Sequence, residues 1–562
     1  MNMRLLIILG YLSITLAIGI GLHRRTKRNS VDFFLAGRSL SNLLLFFTMA
    51  ASNFSAFTIF GLSGAGYRIG YAFYPVMGFG TGFMALSMYL VGRKIIPLAR
   101  EREYVTPADF IADRYGSQSL KKVSSIVMIV FTLPYLALQA IAAGNSLHSL
   151  TGISYAGGAF LITSFVMIYV VLGGLRTIAW TDFLQGVMMI TFAAIAFAII
   201  AEKSGGFAAV NERLLSETPA LFSRPGADGS MTRGVWFGYT FLWFFSVPFT
   251  PHLFQRFLAA KSEKHFSTTV VLYPIITTIL FFLTVSIGVL GRASFPGLPA
   301  GESDTIFPLL LGRFTGVFTS TLLLTGSIAA LMSTMDSQLL TLTSIISLDF
   351  NLFSDDMPER KRVAWEKLIV VLLGGAGFLI ALRPPETLLA FVQATTFNGI
   401  SVLAPLVLGG LYWHRANKWG AFASLAGGEL LVVLYYFDLL PAFGTLPAVP
   451  IVAVTSLLFI GVSLAVSRTI EKSPKFRVQP GPNTSSFAER LRTERLPGFA
   501  VFSLIAIFVV SNDFWAWGKT PVLFWGLPLW VWYFAGLGIL LAAAFRLTLH
   551  RIIPIRLSGK EK

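Results

Sequence analysis

Hydroxyl side chains recur within residues 327–344 at spacings that place them on one face of a helix. They stand at offsets of three, four and seven residues, and Asp336 lies beside that face. The hydroxyl-bearing residues are Ser333, Thr334, Ser337, Thr341 and Ser344, with Ala330 one turn earlier. Neutral oxygen donors with at most one carboxylate suit a hard cation such as sodium. The alternative is structural, because small and hydroxylated residues also let membrane helices pack closely.

The composition places this segment inside a membrane protein. Of the 562 residues, 55% are hydrophobic and 13% are charged, and the mean hydropathy is +0.71. A soluble chain of this length would carry more charge, so the sequence predicts an all-α polytopic membrane protein. The net charge of +17 is spread over short loops between apolar runs, which argues against nucleic acid as a partner. The chain has no cysteine, which excludes disulfides and thiolate metal sites.

Apolar runs predict about fifteen transmembrane helices. Basic clusters such as 256–264, 360–362 and 551–562 fall in alternate loops, a bias that is typical of cytoplasmic loops. The first apolar run has its basic cluster behind it, at 23–28, which indicates a retained helix rather than a signal peptide. The N-terminus is therefore expected outside and the C-terminus in the cytoplasm. The predicted spans are residues 3–22, 42–67, 72–98, 121–146, 155–175, 180–201, 234–257, 268–291, 316–347, 366–382, 388–412, 419–439, 448–467, 498–512 and 525–547.

Two of these predicted spans are interrupted near the middle. In span 42–67 the run ASNFSAFT at 51–58 precedes a glycine-rich run at 61–66. In span 234–257 the run SVPFTP at 246–251, with Pro248 and Pro251, interrupts an aromatic stretch. Proline removes a helical hydrogen bond and glycine eases unwinding, and a break at membrane depth must line a cavity or contact protein. The interrupted spans are five apart in order, which predicts two five-helix units of opposite orientation with a transport site between the breaks. The alternative is a pair of ordinary helix kinks.

Sequence motifs for catalysis are absent. The WGKT run at 517–520 lacks the first glycine of a phosphate-binding loop, because Asp513 stands in its place. The six histidines show no metal-ligand spacing, and no serine occupies a nucleophile motif with a plausible acid and base. The chain is therefore not expected to be an enzyme.

Five stretches of the sequence resemble motifs of the solute:sodium symporter family and occur in that family's order. The likeness runs from about residue 5 to 470 and implies a leucine-transporter-like (LeuT-like) fold, built from two inverted five-helix repeats with accessory helices around them. The matching stretches are DFFLAGR at 32–38, ADFIADRY at 108–115, GGLRTIAWTDFLQG at 173–186, PH at 251–252 followed by RFLAAK at 256–261, and AALMSTMDSQ at 329–338.

The resemblance also implies a division of the chain into parts. An accessory N-terminal helix would precede the repeats, and accessory C-terminal helices with one cytoplasmic loop would follow them. The expected boundaries are 1–30 for the N-terminal helix, 41–205 and 232–413 for the two repeats, and 418–562 for the C-terminal part, with its loop at about 470–497.

The resemblance implies a sodium site between the first broken span and the ninth span. The family's site takes backbone carbonyls from the break, here those of Ala51 and Phe54. From the ninth span it takes the carbonyl of Ala330 and the hydroxyls of Ser333 and Thr334. This set agrees with the hydroxyl face described above.

Some members of the family bind a second sodium ion. The matching positions here are Asp182, Asp336 and Ser337, together with Ser333. The alternative for Asp182 is a structural role, either as a helix cap or as the partner of Arg176.

The solute is expected to lie between the two broken spans. Sugar-transporting members carry Gln and Glu where this chain has Thr58 and Met77, and methionine cannot pair with sugar hydroxyls. Trp243 and Pro251 match positions of the proline-transporting branch, which implies a small carboxylate-bearing solute near a half-helix N-terminus. Further candidates are Asn53, Tyr239, Phe244 and Gln393, although the aromatic residues would equally fit an ordinary core.

The expected function is sodium-coupled symport of a small carboxylate-bearing solute, such as proline or a monocarboxylate, by alternating access in the plasma (inner) membrane. Na+, the solute and the lipid bilayer are the expected partners, and a monomer would suffice. Two alternatives stay open. One is symport driven by protons, with Asp182 or Asp336 as the carrier, and the other is a solute sensor that keeps the fold without net transport.

Overall fold

The computed structural model is almost entirely α-helical. A short antiparallel hairpin, Leu523–Phe524 paired with Leu527–Pro528, adds two strands, β1 and β2. The structure describes residues 3–23, 30–354, 356–383, 396–472, 498–513, 515–519 and 521–558.

The first half of the described chain is a succession of helices joined by short turns. They are α1 (Met3–His23), α2 (Ser30–Leu35), α3 (Asn42–Asn53), α4 (Leu62–Ile69), α5 (Tyr74–Glu101), α6 (Pro107–Tyr115), α7 (Gln118–Thr151), α8 (Tyr155–Lys203) and α9 (Phe207–Glu217). Side-chain caps fix several of the starts. The hydroxyl of Ser117 accepts from the backbone N–H of Leu120 at 3.2 Å at the start of α7, and Thr106 and Asp109 form a capping box at the start of α6.

The second half continues in the same way. Its helices are α10 (Arg233–Ser246), α11 (Pro251–Ala259), α12 (Glu263–Ser294), α13 (Ile306–Phe314), α14 (Val317–Ser344), α15 (Glu359–Ala381), α16 (Asn398–Ser401), α17 (Leu403–Tyr412), α18 (Lys418–Tyr436), α19 (Ala448–Lys472), α20 (Gly498–Val510) and α21 (Leu529–Ser558). The predicted loop at 470–497 falls largely on residues outside the described ranges.

The predicted count of fifteen spans is not confirmed. Within the described residues, 10 helices are long and apolar enough to cross a membrane, or up to 11 when the bent pair α3 and α4 counts as one span. One reason for the lower number is that the continuous helical segment α8, with 49 residues, counts once although it covers both predicted spans 155–175 and 180–201. Another is that the predicted span 388–412 begins among residues that the structure does not describe.

Helix α8 is nevertheless interrupted, at Gly174. The backbone there has φ 59° and ψ −162°, a conformation open to glycine and strained for other residues. A Cβ atom at this position would also lie 2.6 Å from the carbonyl oxygen of Phe33 in α2. The glycine therefore permits both the turn within α8 and the close approach of α2.

Helix α14, which carries the hydroxyl face, lies at the centre of the molecule. It packs against α8, α7, α15, α3 and α11, and its side chains from Leu323 to Ser344 are all buried. The hydroxyl face therefore meets protein rather than lipid.

Both predicted breaks are present. Helix α3 meets the helical segment Phe57–Ile69, which ends in α4 and is called the α4 segment below, at an angle of 65°. Phe54 and Ser55 lie outside helical geometry at the break. The second break follows α10, where a short turn at Val247–Phe249 and an extended Thr250 precede Pro251 at the start of α11. The repeat boundaries at 41–205 and 232–413 stay a prediction.

Candidate cation and solute site

At the break after α3, backbone carbonyls lack the N–H donors that a continuous helix would provide. The N–H of Ala56 donates to the side-chain oxygen of Gln139 at 3.1 Å, and the N–H of Thr58 donates to the carbonyl of Ser55 at 2.9 Å. The carbonyls of Ser52 and Phe54 thus lose the donors that helical pairing would give them. These oxygens become available to other partners at the middle of the molecule.

Helix α14 supplies hydroxyls to this point. The Oγ of Ser333 lies 3.0 Å from the carbonyl oxygen of Ala51 and 2.9 Å from that of Ala330. The Oγ1 of Thr334 lies 3.2 Å from the carbonyl oxygen of Ser52, 3.5 Å from that of Ala51 and 3.4 Å from that of Ala330. Four of the five predicted sodium ligands therefore lie together, because each of the two hydroxyls is within hydrogen-bonding distance of both carbonyls.

The fifth predicted ligand, Phe54, is the first residue after α3. Its backbone has φ −85° and ψ 89°, and its ring stacks on Tyr273 with 5.9 Å between ring centroids. The carbonyl of Ser52 was not predicted as a ligand, although it faces Thr334. The whole set is buried and consists of neutral oxygens, which is the donor chemistry that hard monovalent cations accept.

The residues of the predicted second site form a different arrangement. The hydroxyl of Ser337 donates to Asp336 at 3.1 Å, and Asp336 also accepts from the hydroxyl of Tyr169 at 2.6 Å. Asp182 accepts from the hydroxyl of Thr48. Ser333, which was also predicted here, points its hydroxyl at the first site instead.

A buried arginine stands among these groups. The Nη2 atom of Arg256 lies 3.6 Å from Oδ2 of Asp182 and donates to the hydroxyls of Ser52, at 3.1 Å, and of Ser337. Its Nε donates to Thr48 Oγ1 at 3.1 Å. The assignment of residue 256 to a cytoplasmic loop was wrong, because this side chain is fully buried on α11. A basic residue only five positions after a predicted break was the signal that could have found it.

The suggested pairing of Asp182 with Arg176 is also wrong. Arg176 pairs with Asp32 at 2.9 Å, which ties α8 to α2 near Gly174. Asp182 instead faces Arg256, so its charge belongs to the centre of the molecule.

Aromatic side chains lie beside the second break. Trp243 packs edge-on against Phe397 with 5.2 Å between ring centroids, and Tyr239 lies 5.8 Å from Trp243. The indole N–H of Trp243 has no hydrogen-bond partner among the described residues, although it is buried. Asn53 donates to the hydroxyl of Tyr273 at the end of α3. This part of the molecule combines an apolar wall with a few polar groups, as ligand sites do.

The remaining predicted solute residues lie in several environments. Thr58 and Met77 are buried, at 2% and 3% exposure, on the turn before α4 and on α5. Pro251 opens α11, where proline suits the first helical position because its missing N–H would have no helical partner. Phe244 does not join Trp243: it lines an apolar groove between α5, α10 and α20. Gln393 lies outside the described residues.

Sequence reasoning missed Gln139. It is fully buried on α7, its carbonyl oxygen caps the N–H of Ala56, and its amide nitrogen donates to the carbonyl of Tyr135 at 3.1 Å. The hydroxyl of Ser55 accepts from the N–H of Phe57 at 3.2 Å. The N-terminus of the α4 segment is thus closed by protein groups. Its position in the middle of an apolar span could have identified Gln139 as a functional candidate from the sequence.

Comparison with known proteins assigns this architecture to a family. The family model described as "Sodium:solute symporter family" matches residues 33–428. The sodium/pantothenate symporter of Escherichia coli (strain K12) is 29% identical over 456 residues, covering 80% of this chain and 94% of its own length. The high-affinity proline transporter PutP of Bacillus subtilis (strain 168) is 27% identical over 448 residues, covering 76% and 93%.

Solved structures show the same fold. A Na+-coupled sialic acid symporter in a substrate-bound outward-open state superposes with a TM-score of 0.65 at 18% identity, covering 83% of this chain and 98% of that protein. The nucleobase-cation-symport-1 family transporter Mhp1 in a closed conformation gives a TM-score of 0.54 at 13% identity, covering 83% and 99%. The predicted LeuT-like all-α fold is confirmed, and so is the expectation that the chain is a transporter rather than an enzyme. The chain is a multi-pass membrane protein that belongs to the sodium:solute symporter family.

Proposed function

We propose that the protein is a sodium-coupled symporter that imports a small carboxylate-bearing solute by alternating access. The observation that carries this proposal is the meeting of the carbonyls of Ala51 and Ser52, at the end of α3, with the hydroxyls of Ser333 and Thr334. Sodium at this point would join the first broken span to α14. Because an ion shifts a conformational balance only by its different affinity for the two states, a site that spans two elements is suited to coupling.

The energy of one ion is sufficient for uptake. A tenfold sodium gradient supplies about 1.4 kcal/mol, and a membrane potential of about 100 mV supplies about 2.3 kcal/mol per charge. Together these give roughly 4 kcal/mol, which supports accumulation of the solute by several hundredfold. The residues of the proposed sodium site lie on α3 and α14 of this chain, and we propose that a monomer is sufficient for transport.

A carboxylate is the solute group that the surroundings favour. The relatives are named for pantothenate and proline, and both of these molecules carry a carboxylate. Helix α11 begins at the second break and offers the positive end of its dipole there, while the N-terminus of the α4 segment is closed by Gln139. The buried indole N–H of Trp243 supplies a further donor. Met77 offers no partner for a sugar hydroxyl.

Uptake into proteoliposomes tests the coupling. Radiolabelled proline and pantothenate are offered with an inward sodium gradient and with choline in place of sodium at fixed pH. Sodium-dependent accumulation of either solute is expected, and Ser333→Ala with Thr334→Ala should abolish the sodium stimulation. Thr343→Ala is the matched control, because among the described residues its hydroxyl bonds within α14, to the carbonyl of Leu339 at 2.7 Å. Equal uptake in choline would favour proton coupling, and binding without uptake would favour a sensor.

The orientation of the chain is part of the proposal. We place the protein in the plasma (inner) membrane, with the N-terminus outside and the C-terminus in the cytoplasm, as the loop charges suggest. Because the chain has no cysteine, single cysteines can report each side. A cysteine at Gly229 should react with an impermeant maleimide in intact cells, whereas a cysteine at Lys562 should react only after lysis. The reverse pattern would invert the orientation.

A further inference from the structure

A cavity of about 540 Å³ lies between α10, α17 and α19. Apolar side chains form most of its wall, among them Phe245 of α10, Leu408 of α17 and Ile460 of α19. The cavity opens on the outer surface of the helix bundle, where Ile460 is 44% exposed. In a protein that spans a membrane, an apolar opening on this surface meets the hydrocarbon chains of the bilayer.

A second apolar groove adjoins this cavity. Phe245 lines both spaces, and the second, of about 400 Å³, lies between α5, α10 and α20. The hydroxyl of Thr240 on its wall donates to the carbonyl of Trp236 at 3.3 Å. An ordered water molecule needs several polar partners, which the described wall of this groove does not offer. Two apolar spaces that share one phenylalanine therefore suit the two hydrocarbon chains of a phospholipid.

Basic side chains stand where the wall of the first cavity passes the end of α17. His414 and Arg415 line the cavity, come just after that helix and are exposed. Neither side chain forms a hydrogen bond or an ion pair with the described residues. The sequence contains no Asp or Glu between residues 387 and 428, so this turn carries a local positive charge. The planar guanidinium of arginine matches the geometry of a phosphate, and the imidazole ring adds a further N–H donor.

The turn that carries these two residues is held in place by α6. Arg114 donates to the carbonyl of Gly410 at 2.7 Å and to that of Trp413 at 3.1 Å. These carbonyls belong to the negative end of the α17 dipole, which would otherwise repel an anion. Trp413 itself lines the cavity and packs edge-on against Phe459, with 5.7 Å between ring centroids. Tryptophan is typical of the level of the lipid headgroups.

We propose that this cavity binds an anionic glycerophospholipid, with the phosphate on Arg415 and His414 and the acyl chains along Leu408 and Phe245. Lipid covers every membrane-facing surface, but selection of one lipid class needs a shaped space for the chains and a charge for the headgroup. Both occur here side by side. In the orientation proposed above, this end of α17 faces the cytoplasmic leaflet, whose anionic lipids attract basic residues near the membrane. The inference does not depend on sodium coupling.

Native mass spectrometry of the delipidated protein in detergent tests the proposal. The protein is titrated with dioleoyl phosphatidylglycerol or dioleoyl phosphatidylcholine, which share their acyl chains and differ in the charge of the headgroup. We expect the first molecule of phosphatidylglycerol to bind more tightly than the first molecule of phosphatidylcholine. Arg415→Gln should weaken the binding of phosphatidylglycerol by about fivefold or more, the effect of one charge near an anionic lipid. Arg360→Gln is the matched control and should leave both affinities unchanged, because Arg360 is also exposed but does not line the cavity.

Ser456→Phe tests the acyl part of the site separately. Ser456 lines the cavity from α19, so a phenyl ring there would fill part of the space, and the binding of both lipids should weaken. Unchanged binding in this variant would overturn the inference, as would equal affinities of the wild type for the two lipids or equal losses in Arg415→Gln and Arg360→Gln. Displacement of the lipid by inorganic phosphate would overturn it in favour of a site for free phosphate. Dimers without bound lipid would overturn it in favour of a second copy of the chain at this surface.

Discussion

Arg224 and Asp513 lie 289 positions apart in the sequence, yet Nη1 of the arginine lies 2.6 Å from Oδ1 of the aspartate. Both side chains are almost completely buried. The guanidinium carbon lies 4.8 Å from the ring centre of Trp517, 4.9 Å from that of Trp530 and 5.1 Å from that of Phe534. This contact attaches the C-terminal helical hairpin of α20 and α21, which the family match does not include, to the loop between α9 and α10.

Both members of this pair are charged at neutral pH. Burial lowers the pKa of Arg224 to about 10 and raises the pKa of Asp513 to about 6, and each partner opposes the shift of the other. The same loop also contacts the end of α4, where the N–H of Ala227 donates to the carbonyl of Ile69 at 2.9 Å. The C-terminal hairpin is therefore linked through one loop to the first broken span.

Asp513→Asn should detach the C-terminal hairpin. The substitution leaves a buried guanidinium without its counter-charge, and breaking such a pair typically costs about 3–5 kcal/mol. Limited proteolysis should cut the hairpin faster than in the wild type, and thermal unfolding should occur at lower temperature. The double variant Arg224→Met with Asp513→Leu should recover most of the loss, because it removes both charges. Arg213→Ala breaks an exposed pair with Glu217 and should change stability by less than about 1 kcal/mol. Equal losses of stability in Arg213→Ala and Asp513→Asn would show that the buried pair of Arg224 and Asp513 does not hold the C-terminal hairpin in place.

Gln139→Leu should weaken the first sodium site. The substitution leaves the N–H of Ala56 without its partner, at a cost of about 1–3 kcal/mol, and favours re-formation of the helix across the break. The apparent sodium affinity, measured by the sodium-dependent rise in melting temperature, should fall by about tenfold or more. Gln338→Leu is the control: Gln338 is also fully buried, but its amide makes no hydrogen bond among the described residues. An unchanged sodium response in Gln139→Leu would argue against the cap.

Gly174→Ala should destabilise the protein by at least about 1–3 kcal/mol, because its backbone conformation is strained for alanine and the new Cβ would meet the carbonyl of Phe33. Thermal unfolding in detergent measures the effect. Gly375→Ala provides the opposite expectation. It lies within α15 with no atom within 4 Å of the added Cβ, so alanine should stabilise the helix by about 0.5–1 kcal/mol. A neutral Gly174→Ala would mean that α8 is able to straighten.

Trp243→Phe should weaken solute binding while preserving the aromatic wall. The change removes the buried indole N–H, and a lost hydrogen bond to a charged group is worth about 1.5–3 kcal/mol, which is roughly a 10- to 150-fold loss of affinity. Competition with labelled proline or pantothenate measures it. Trp236→Phe is the matched control, because its indole N–H is also buried without a partner among the described residues, two turns away on α10. Equal losses in both variants would remove Trp243 from the solute site.

Local patterns in the sequence were sufficient for much of the fold. Hydropathy indicated the membrane helices, Pro248 and Pro251 marked the second break, and the spacing of Ser333 and Thr334 placed their hydroxyls on one face. The first break lies at Phe54 and Ser55, a few residues before the glycine-rich run at 61–66. Each of these properties depends on residues within a few helical turns, so a single stretch of chain carries the information. The count of about fifteen spans is not confirmed, although the kink at Gly174 lies at the end of the first of the two spans that were predicted within α8.

The sequence by itself determined that this chain is a membrane transporter with interrupted helices and a hydroxyl face. Only the tertiary structure decided what that face meets. Helical spacing fixes which side a residue points to, but the partner on that side comes from a distant part of the chain. That is why the burial of Arg256 beside Asp182, the cap from Gln139 and the orientation of Phe244 away from Trp243 required the packed molecule.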